Sequence, residues 1–249
     1  MSGDYGTGGR LGVGTPQGNP TVEPEMSILL PRNCCLHTVR LTSQAAEPSE
    51  RLRQYLEQLP DYLTRFDVLS LDAFGFACTA SSYLLGAERE RELVDRCSER
   101  FPVVTATHAI GWALERLNAR RIAIAAPYSA TIREAAASYW TAAGFEVQQL
   151  VPIETATADT RSIYQLDSDD ARAVLATLNF QELDAVLLTG TGLPSLRILA
   201  EDWPVPVLSS NLSLAARMIS VAGLPAARAM KGVFIPGWTE RLHEALAAP

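Results

Sequence analysis

The sequence predicts an α/β fold of two similar, pseudo-symmetric halves, each a mainly parallel sheet flanked by helices, with a ligand cleft between them. Strand-like and helical stretches alternate along the chain, which is typical of parallel sheets connected by helices. The strand, proline and polar loop at 11–17 have the same form as those at 121–129. With 249 residues, of which 47% are hydrophobic, the chain is long enough to bury two cores.

The repeated pattern sets the expected boundaries. Residues 10–106 are predicted to form the first half and 107–208 the second, with 209–249 as a candidate segment for completing the first half. Residues 1–9 are rich in small and polar residues and have no apolar period, so a disordered tail is expected there.

Hydrophobic periodicity predicts the elements of the first half. Leu52, Leu56, Leu59 and Leu63 lie on one helical face, so residues 50–63 are expected to form one helix. Short apolar runs bounded by turn residues predict strands. The remaining predicted elements are strands at 11–14, 34–41, 68–71 and 103–105 and helices from residue 22 and at 88–100.

The second half repeats this order. An apolar stripe that includes Ile110 and Leu114 predicts a helix ahead of the repeated strand and proline. The predicted strands are 121–126, 145–150, 183–188 and 205–208, and the predicted helices are 107–118, 130–143, 169–178 and 211–222.

Composition excludes several classes of protein. A net charge of −7 without a basic patch argues against binding to nucleic acid or a membrane surface. No apolar run reaches the roughly 18 residues that a membrane span needs. The 4 cysteines and 3 histidines have no CxxC or HxxxH spacing, so no metal site is expected. No signal peptide is recognisable, which favours a cytoplasmic protein with reduced cysteines.

No cofactor is expected either. Gly12 and Gly14 lack the third glycine and the acidic residue of a dinucleotide fingerprint. The Thr-Gly-Thr-Gly run at 189–192 lacks the Lys-Ser/Thr pair that completes a phosphate-binding P-loop.

Cys78 is the main candidate for a reactive residue. It follows an apolar run and precedes the hydroxyl residues Thr79, Ser81 and Ser82. If a helix begins near Ser81, free backbone N–H groups and the helix dipole would favour the Cys78 thiolate, and they could also bind a carboxylate. A lone cysteine more often only packs in a core, so the catalytic interpretation depends on these neighbours.

Ligands of parallel sheets bind beyond the carboxyl ends of the strands, so four loops are expected to meet in one cleft. These loops are residues 15–21, 76–82, 127–131 and 189–195. Their candidate hydroxyl donors are Thr79, Ser81, Ser82, Tyr128, Thr189 and Thr191. Arg133 lies just beyond the third loop and no arginine lies within any of them, so carboxylate binding is expected to depend on neutral donors.

Three of these loops resemble the Asp/Glu racemase superfamily, in its branch of maleate cis-trans isomerase and arylmalonate decarboxylase. Residues 18–26, Gly-Asn-Pro-Thr-Val-Glu-Pro-Glu-Met, are similar to a substrate-binding Asn loop. Residues 76–82, Phe-Ala-Cys-Thr-Ala-Ser-Ser, resemble the segment of the first catalytic cysteine, and Tyr128 after Pro127 matches an active-site tyrosine. The resemblance extends over residues 10–222.

The resemblance implies a cofactor-independent enzyme with its active site in the cleft, a small mono- or dicarboxylic acid as substrate, and a homo-oligomer. It implies that Cys78 and Tyr128 are catalytic. The implied substrate-binding residues are Asn19, Thr79, Ser81, Thr189, Gly190, Thr191 and Gly192.

Two departures from the family pattern leave the reaction open. Gly190 takes the position of a second catalytic cysteine, and Thr160 that of a second isomerase asparagine. One interpretation is an isomerase in which the Cys78 thiolate adds to a double bond. Another is a one-thiol decarboxylase of arylmalonate-type acids, in which Cys78 protonates an enediolate. A third is a small-acid-binding protein without turnover.

Overall fold

The structure is a computed structural model that describes residues 4–247, and within this range eight strands form two four-stranded parallel sheets. The first sheet has the order β2-β1-β3-β4 and consists of β1 (Gly9–Pro16), β2 (Cys34–Leu41), β3 (Ala73–Phe76) and β4 (Val103–Thr105). The second has the order β6-β5-β7-β8 and consists of β5 (Arg121–Ala126), β6 (Glu146–Pro152), β7 (Ala185–Leu188) and β8 (Val207–Ser209). The identical strand order confirms the predicted α/β fold of two similar halves.

Helices connect and cover both sheets. The α-helices are α1 (Val22–Leu29), α2 (Pro48–Glu57), α3 (Leu59–Thr64), α4 (Thr79–Leu85), α5 (Ala87–Cys97), α6 (Ala106–Arg116), α7 (Ala130–Ala142), α8 (Ser168–Leu175), α9 (Leu196–Leu199), α10 (Ser210–Val221) and α11 (Trp238–Ala247). The 3-10 helices are Thr160–Gln165, Phe180–Glu182 and Pro225–Ala229, and the last two of these, like α9 and α11, were not expected from the sequence. None of the helices in the described range is long and apolar enough to cross a membrane.

Equivalent carboxylates join the strands of the two sheets. Asp72, just before β3, accepts a hydrogen bond from the backbone N–H of Arg10 at 2.7 Å. Asp184, just before β7, accepts from the N–H groups of Arg120 and Arg121 at 3.0 and 2.8 Å. Each carboxylate thereby connects the starts of the two central strands of its sheet. The two halves therefore share even these individual hydrogen bonds.

The helices after β4 and β8 also correspond. The Thr105 hydroxyl caps α6 by accepting from the N–H of His108, and the Ser209 hydroxyl caps α10 by accepting from that of Leu212, each at 3.2 Å. These two helices pack against each other, and α10 also contacts β3 and β4. The domain boundaries at 106 and 208 stay predictions.

The predicted strand at 68–71 is wrong. Val68 is 77% exposed, and Asp67 lies within the turn at 65–68 with a φ of +41°. The strand starts at Ala73, which is buried in the middle of the sheet between β1 and β4. At Gly75 a Cβ atom would lie 2.4 Å from the sulfur of Met218, so the close approach of α10 requires glycine there. Small residues made this central strand look less strand-like than the exposed run before it.

The helix predicted at 50–63 is in fact two helices, α2 and α3. They are separated at Gln58, whose ψ of 9° leaves the helical region. Pro60 follows in the first turn of α3, where a missing N–H is tolerated, whereas inside a continuous helix it would remove a hydrogen bond.

The tail predicted at 1–9 falls partly outside the described residues, which exclude 1–3. Residues 4–8 form turns, and the N–H of Gly8 donates to the carbonyl of Asn33 at 2.9 Å. Gly9 already belongs to β1.

Candidate active site

The loops after β1, β3, β5 and β7 meet at one pocket, whose wall is formed by residues of both halves. The residues that these loops place along the pocket are Pro16, Asn19, Cys78, Ala80, Tyr128, Gly190, Thr191 and Gly192.

Cys78 is the N-cap residue of α4, directly after the loop from β3. Its side chain is 5% exposed, and the Ser81 hydroxyl donates a hydrogen bond to its sulfur at 3.1 Å. Burial raises the pKa of the Cys78 thiol, and hydrogen bonds from Ser81 and from the N–H of Ala80 only partly oppose that effect. The expectation that the helix start favours a thiolate is therefore outweighed by burial, and the resting group is the thiol.

A chain of hydrogen-bonded side chains connects the two halves behind the pocket. It begins with the indole N–H of Trp140, which donates to the hydroxyl of Tyr83 at 3.1 Å. Tyr83 is paired with Thr189 at 2.9 Å, Thr189 with Thr79 at 3.2 Å, and Thr79 with the Tyr128 hydroxyl at 2.7 Å. All five side chains are buried.

The donor-only indole sets the direction of this chain. If Tyr83 accepts from Trp140, it satisfies its own O–H by donating to Thr189, which donates in turn to Thr79. In this direction Thr79 donates to Tyr128, which unlike Tyr83 lines the pocket and can direct its own O–H to a ligand there. The opposite direction would leave the buried Tyr83 O–H without an acceptor, which is costly. Burial raises the pKa of Tyr128 well above its ordinary value, so the phenol stays a donor.

Asn19 organises the first loop. Its side-chain oxygen accepts from the N–H groups of Thr21 at 2.9 Å and Val22 at 3.3 Å. Its amide donates to the hydroxyl of Thr191 at 3.3 Å, while the Thr21 hydroxyl donates to the carbonyl of Gly192 at 2.8 Å. The loops after β1 and β7 are thus held together directly beside the pocket.

Glu25 is a buried carboxylate that sequence reasoning did not select. It accepts from the N–H groups of Ser195 at 2.5 Å and Leu196 at 3.2 Å, and from the side-chain amide of Asn211 at 2.8 Å. Burial raises its pKa, and these hydrogen bonds oppose that change. Glu25 therefore fixes the loop after β7 against α1, and its place in the Glu-Pro-Glu run was the signal that could have identified it.

A side chain at Gly190 would be strained and tightly packed. Its φ is +108°, a backbone conformation that residues with a side chain rarely adopt. A Cβ atom there would lie 3.1 Å from Cγ of Pro127 and 3.4 Å from the hydroxyl oxygen of Tyr128. The tyrosine hydroxyl therefore lies close to where a second cysteine would begin.

Two elements outside the four loops complete the pocket, and of their residues only Thr160 was singled out from the sequence. Helix α2 contributes Arg51, Leu52 and Tyr55, and the 3-10 helix at 160–165 contributes Thr160, Arg161, Ile163 and Tyr164. Two of these residues are arginines, so neutral donors alone do not line the pocket. Arg133, the arginine noted from the sequence, donates instead to the carbonyl of Tyr128.

Three of the predicted substrate-binding residues lie behind the pocket rather than along it. Thr79 and Thr189 belong to the hydroxyl chain, and Ser81 donates to the Cys78 sulfur. Across residues 4–247, no group of three or more His, Cys, Asp or Glu side chains is arranged to hold a metal ion.

Comparisons with known proteins agree on one family. A family model described as arylmalonate decarboxylase matches residues 41–235. A maleate isomerase from Pseudomonas putida is 24% identical over 233 residues, which cover 86% of this chain and 92% of the relative.

Solved structures of the same two kinds of enzyme share the fold. A Nocardia farcinica maleate cis-trans isomerase, a cysteine-to-serine mutant with a covalently bound succinylcysteine intermediate, gives a TM-score of 0.78 at 23% identity, over 92% of this chain and 95% of that chain. A crystal structure of arylmalonate decarboxylase gives a TM-score of 0.69 at 19% identity, over 86% and 92%.

Proposed function

The chain belongs to the arylmalonate decarboxylase family, and on this basis we propose that it is a cofactor-independent isomerase of the maleate cis-trans type, with Cys78 as its nucleophile. The observation that carries the proposal is the position of Cys78, which lines the pocket at the start of α4 together with Tyr128 and Asn19. The curated relative from Pseudomonas putida is a maleate isomerase. The Nocardia farcinica relative holds a cysteine adduct, which supports addition by a thiolate.

The proposed reaction forms and breaks one carbon–sulfur bond. The Cys78 thiolate adds to one alkene carbon, and the π electrons move onto the other carbon and its carboxylate, giving an enediolate. Rotation about the remaining single bond follows. The enediolate then re-forms the double bond and expels the thiolate, which leaves the trans acid and the starting enzyme.

The Tyr128 O–H stabilises the enediolate in this proposal. This O–H can be directed to a ligand in the pocket, and a donor positioned in advance is effective where negative charge develops. Because its pKa is raised, Tyr128 donates a hydrogen bond without transferring the proton. With glycine at 190, no second thiol is present to protonate the intermediate from the other face.

A one-thiol decarboxylase of arylmalonate-type acids is the second candidate, and one observation favours it. Burial raises the pKa of Cys78, so the thiol holds its proton at neutral pH. Loss of CO2 from a malonate leaves its electron pair in an enediolate, and the Cys78 thiol could supply the proton that completes the product.

The test is to incubate the protein in D2O with maleate, and separately with phenylmalonate, while following both by proton NMR. The proposal predicts fumarate without deuterium on carbon, and loss of this activity in Cys78→Ala. Release of CO2 with deuterated phenylacetate, without fumarate, would favour the decarboxylase. No product from either acid would contradict both candidates and favour a small-acid-binding protein without turnover.

A further inference from the structure

We propose that Arg51, supported by Arg161, binds an anionic group at the end of the substrate remote from Cys78 and so determines the specificity of the pocket for doubly charged acids. The inference rests on the proposed function of this pocket. It departs from what the loops alone suggest, since they offer neutral donors only.

Arg51 is a buried arginine in the pocket wall with few hydrogen-bond partners. Its side chain is only 6% exposed, and its Nη2 group donates to Oδ1 of Asp159 at 2.7 Å. No other hydrogen bond of its guanidinium is made within residues 4–247, although the group has five N–H donors. Burying a guanidinium with most of its donors unused is costly, and an anionic ligand would satisfy them.

The charges around Arg51 do not cancel. Asp159 also accepts from the guanidinium of Arg161, at distances of 2.6, 3.0 and 3.1 Å. One carboxylate therefore serves two arginines, which leaves this cluster with one positive charge in excess. Burial disfavours ionisation of Asp159, but the hydrogen bonds from Arg161 and Arg51 lower its pKa to about 2, so the cluster keeps this charge at neutral pH.

Two tyrosines line the same pocket as this cluster and the thiol. Tyr55 is one turn after Arg51 on α2, and Tyr164 lies on the 3-10 helix that follows Asp159. Neither hydroxyl has a hydrogen-bond partner within the described chain, so both are available to a ligand.

The thiol and the cationic cluster lie on different elements of one pocket wall. Cys78 and Tyr128 come from the loops after β3 and β5. Arg51 comes from α2 in the first half, and its ion pair with Asp159 joins it to the second half. Arg161, whose side chain is 62% exposed, marks the side that opens to solvent.

Binding of unreactive ligands tests this inference independently of turnover. Isothermal titration of the wild-type protein with succinate and with its monoamide, succinamate, compares two ligands of one shape that differ by one charge. We expect succinate to bind at least about 10-fold more tightly at low salt, with the preference falling as salt is added. Equal affinity of the two ligands, or no binding of either, would overturn the inference.

Variants then assign the preference to Arg51. Arg51→Gln should weaken succinate binding by about 10-fold or more while leaving the uncharged diamide, succinamide, within about twofold, and Arg51→Lys should be intermediate. Arg172→Gln removes another arginine paired with two carboxylates, but on the surface away from the pocket, and should change neither affinity. Equal weakening of both ligands by Arg51→Gln would mean that Arg51 only braces the fold.

The outcome is separable from that of the proposed function. If maleate is not isomerised but succinate binding depends on Arg51, the isomerase proposal fails and the anion site stands. If maleate is isomerised but Arg51→Gln leaves the ratio of the two affinities unchanged, the isomerase proposal stands and the anion site at Arg51 fails.

Discussion

At the level of single residues, the protonation state of Cys78 separates the two candidate reactions. A nucleophile must lose its proton before it adds to the alkene, and burial raises the pKa of this thiol. For the isomerase we therefore expect kcat/KM to rise by about 10-fold per pH unit on the acid side of the thiol pKa. The measurement is the pH profile of fumarate formation between pH 6 and about 9.5.

The decarboxylase would behave in the opposite way. There Cys78 acts as an acid, so activity would be level at neutral pH and would fall as the thiol loses its proton. A profile that falls through the thiol pKa would exclude the nucleophilic role. The same pKa should appear in the alkylation rate of the wild-type protein by iodoacetamide, and it should be missing in Cys78→Ala.

Tyr83 is a positioning residue for Tyr128 in this account. Tyr83→Phe removes the O–H that donates to Thr189. Without it, nothing fixes which hydroxyl of the Thr79–Tyr128 pair donates to the other. We expect kcat to fall by about 10-fold while KM changes little, because the lost effect is confined to the developing enediolate.

The matched control is Tyr62→Phe, which removes a buried phenol hydroxyl outside the pocket. Tyr62 accepts from the N–H of Thr42 and donates to its carbonyl, so this variant should lose stability but keep kcat within about twofold. If Tyr83→Phe retains full kcat, or if KM alone changes, the chain of hydrogen bonds from Trp140 to Tyr128 does not assist catalysis.

The sequence located some pocket residues and missed others for a physical reason. Cys78, Tyr128 and Asn19 could be identified because each follows the end of a strand. Arg51 could not, because it lies on a helix whose position relative to the strand ends is set by tertiary packing. The direction of the pKa shift of Cys78 could not be predicted from the sequence either. Burial and the helix start shift this pKa in opposite directions, and only the packing shows which shift is larger.

At the level of elements, the loop after β7 explains why the site has one thiol. Gly190→Cys would force a side chain into a φ of +108° and against Pro127 and Tyr128. We expect the free energy of unfolding to fall by about 1–3 kcal/mol in urea titrations, without a gain in isomerase activity.

Gly111→Ala provides the control for this substitution. Gly111 lies inside α6, where a Cβ atom would make an ordinary contact of 3.7 Å with Trp140. Alanine should therefore be neutral or stabilise the protein by up to about 1 kcal/mol. A Gly190→Cys variant that is as stable as the wild type and more active would show that this loop accepts the second thiol.

Element boundaries were predictable where local signals agreed with packing. The strand at Cys34–Leu41 and the strand at Val103–Thr105 have the predicted limits. The strand before Cys78 was misplaced because the fold uses Ala and Gly in its centre, where α10 packs closely. Local propensity favoured the exposed Val-Leu run instead.

At the level of the whole molecule, the two halves are built alike but are chemically unequal at their equivalent loops. In the first half Cys78 lies two residues after the third strand, and in the second half Gly190 lies two residues after the third strand. The cleft therefore has a thiol on one face and, on the other, a glycine beside the Tyr128 hydroxyl. A homo-oligomer stays a prediction from the family resemblance.

The central claim is that Cys78 alone forms a covalent bond to the substrate. Its most direct test is intact-protein mass spectrometry of the wild-type enzyme mixed with maleate and quenched with acid during turnover, followed by peptide mapping. Acid protonates the enediolate adduct and traps it as a succinyl group. We expect one such group per chain, located on Cys78 and missing from Cys78→Ser. Fumarate formation with no adduct on Cys78, or with equal activity in Cys78→Ser, would contradict this claim.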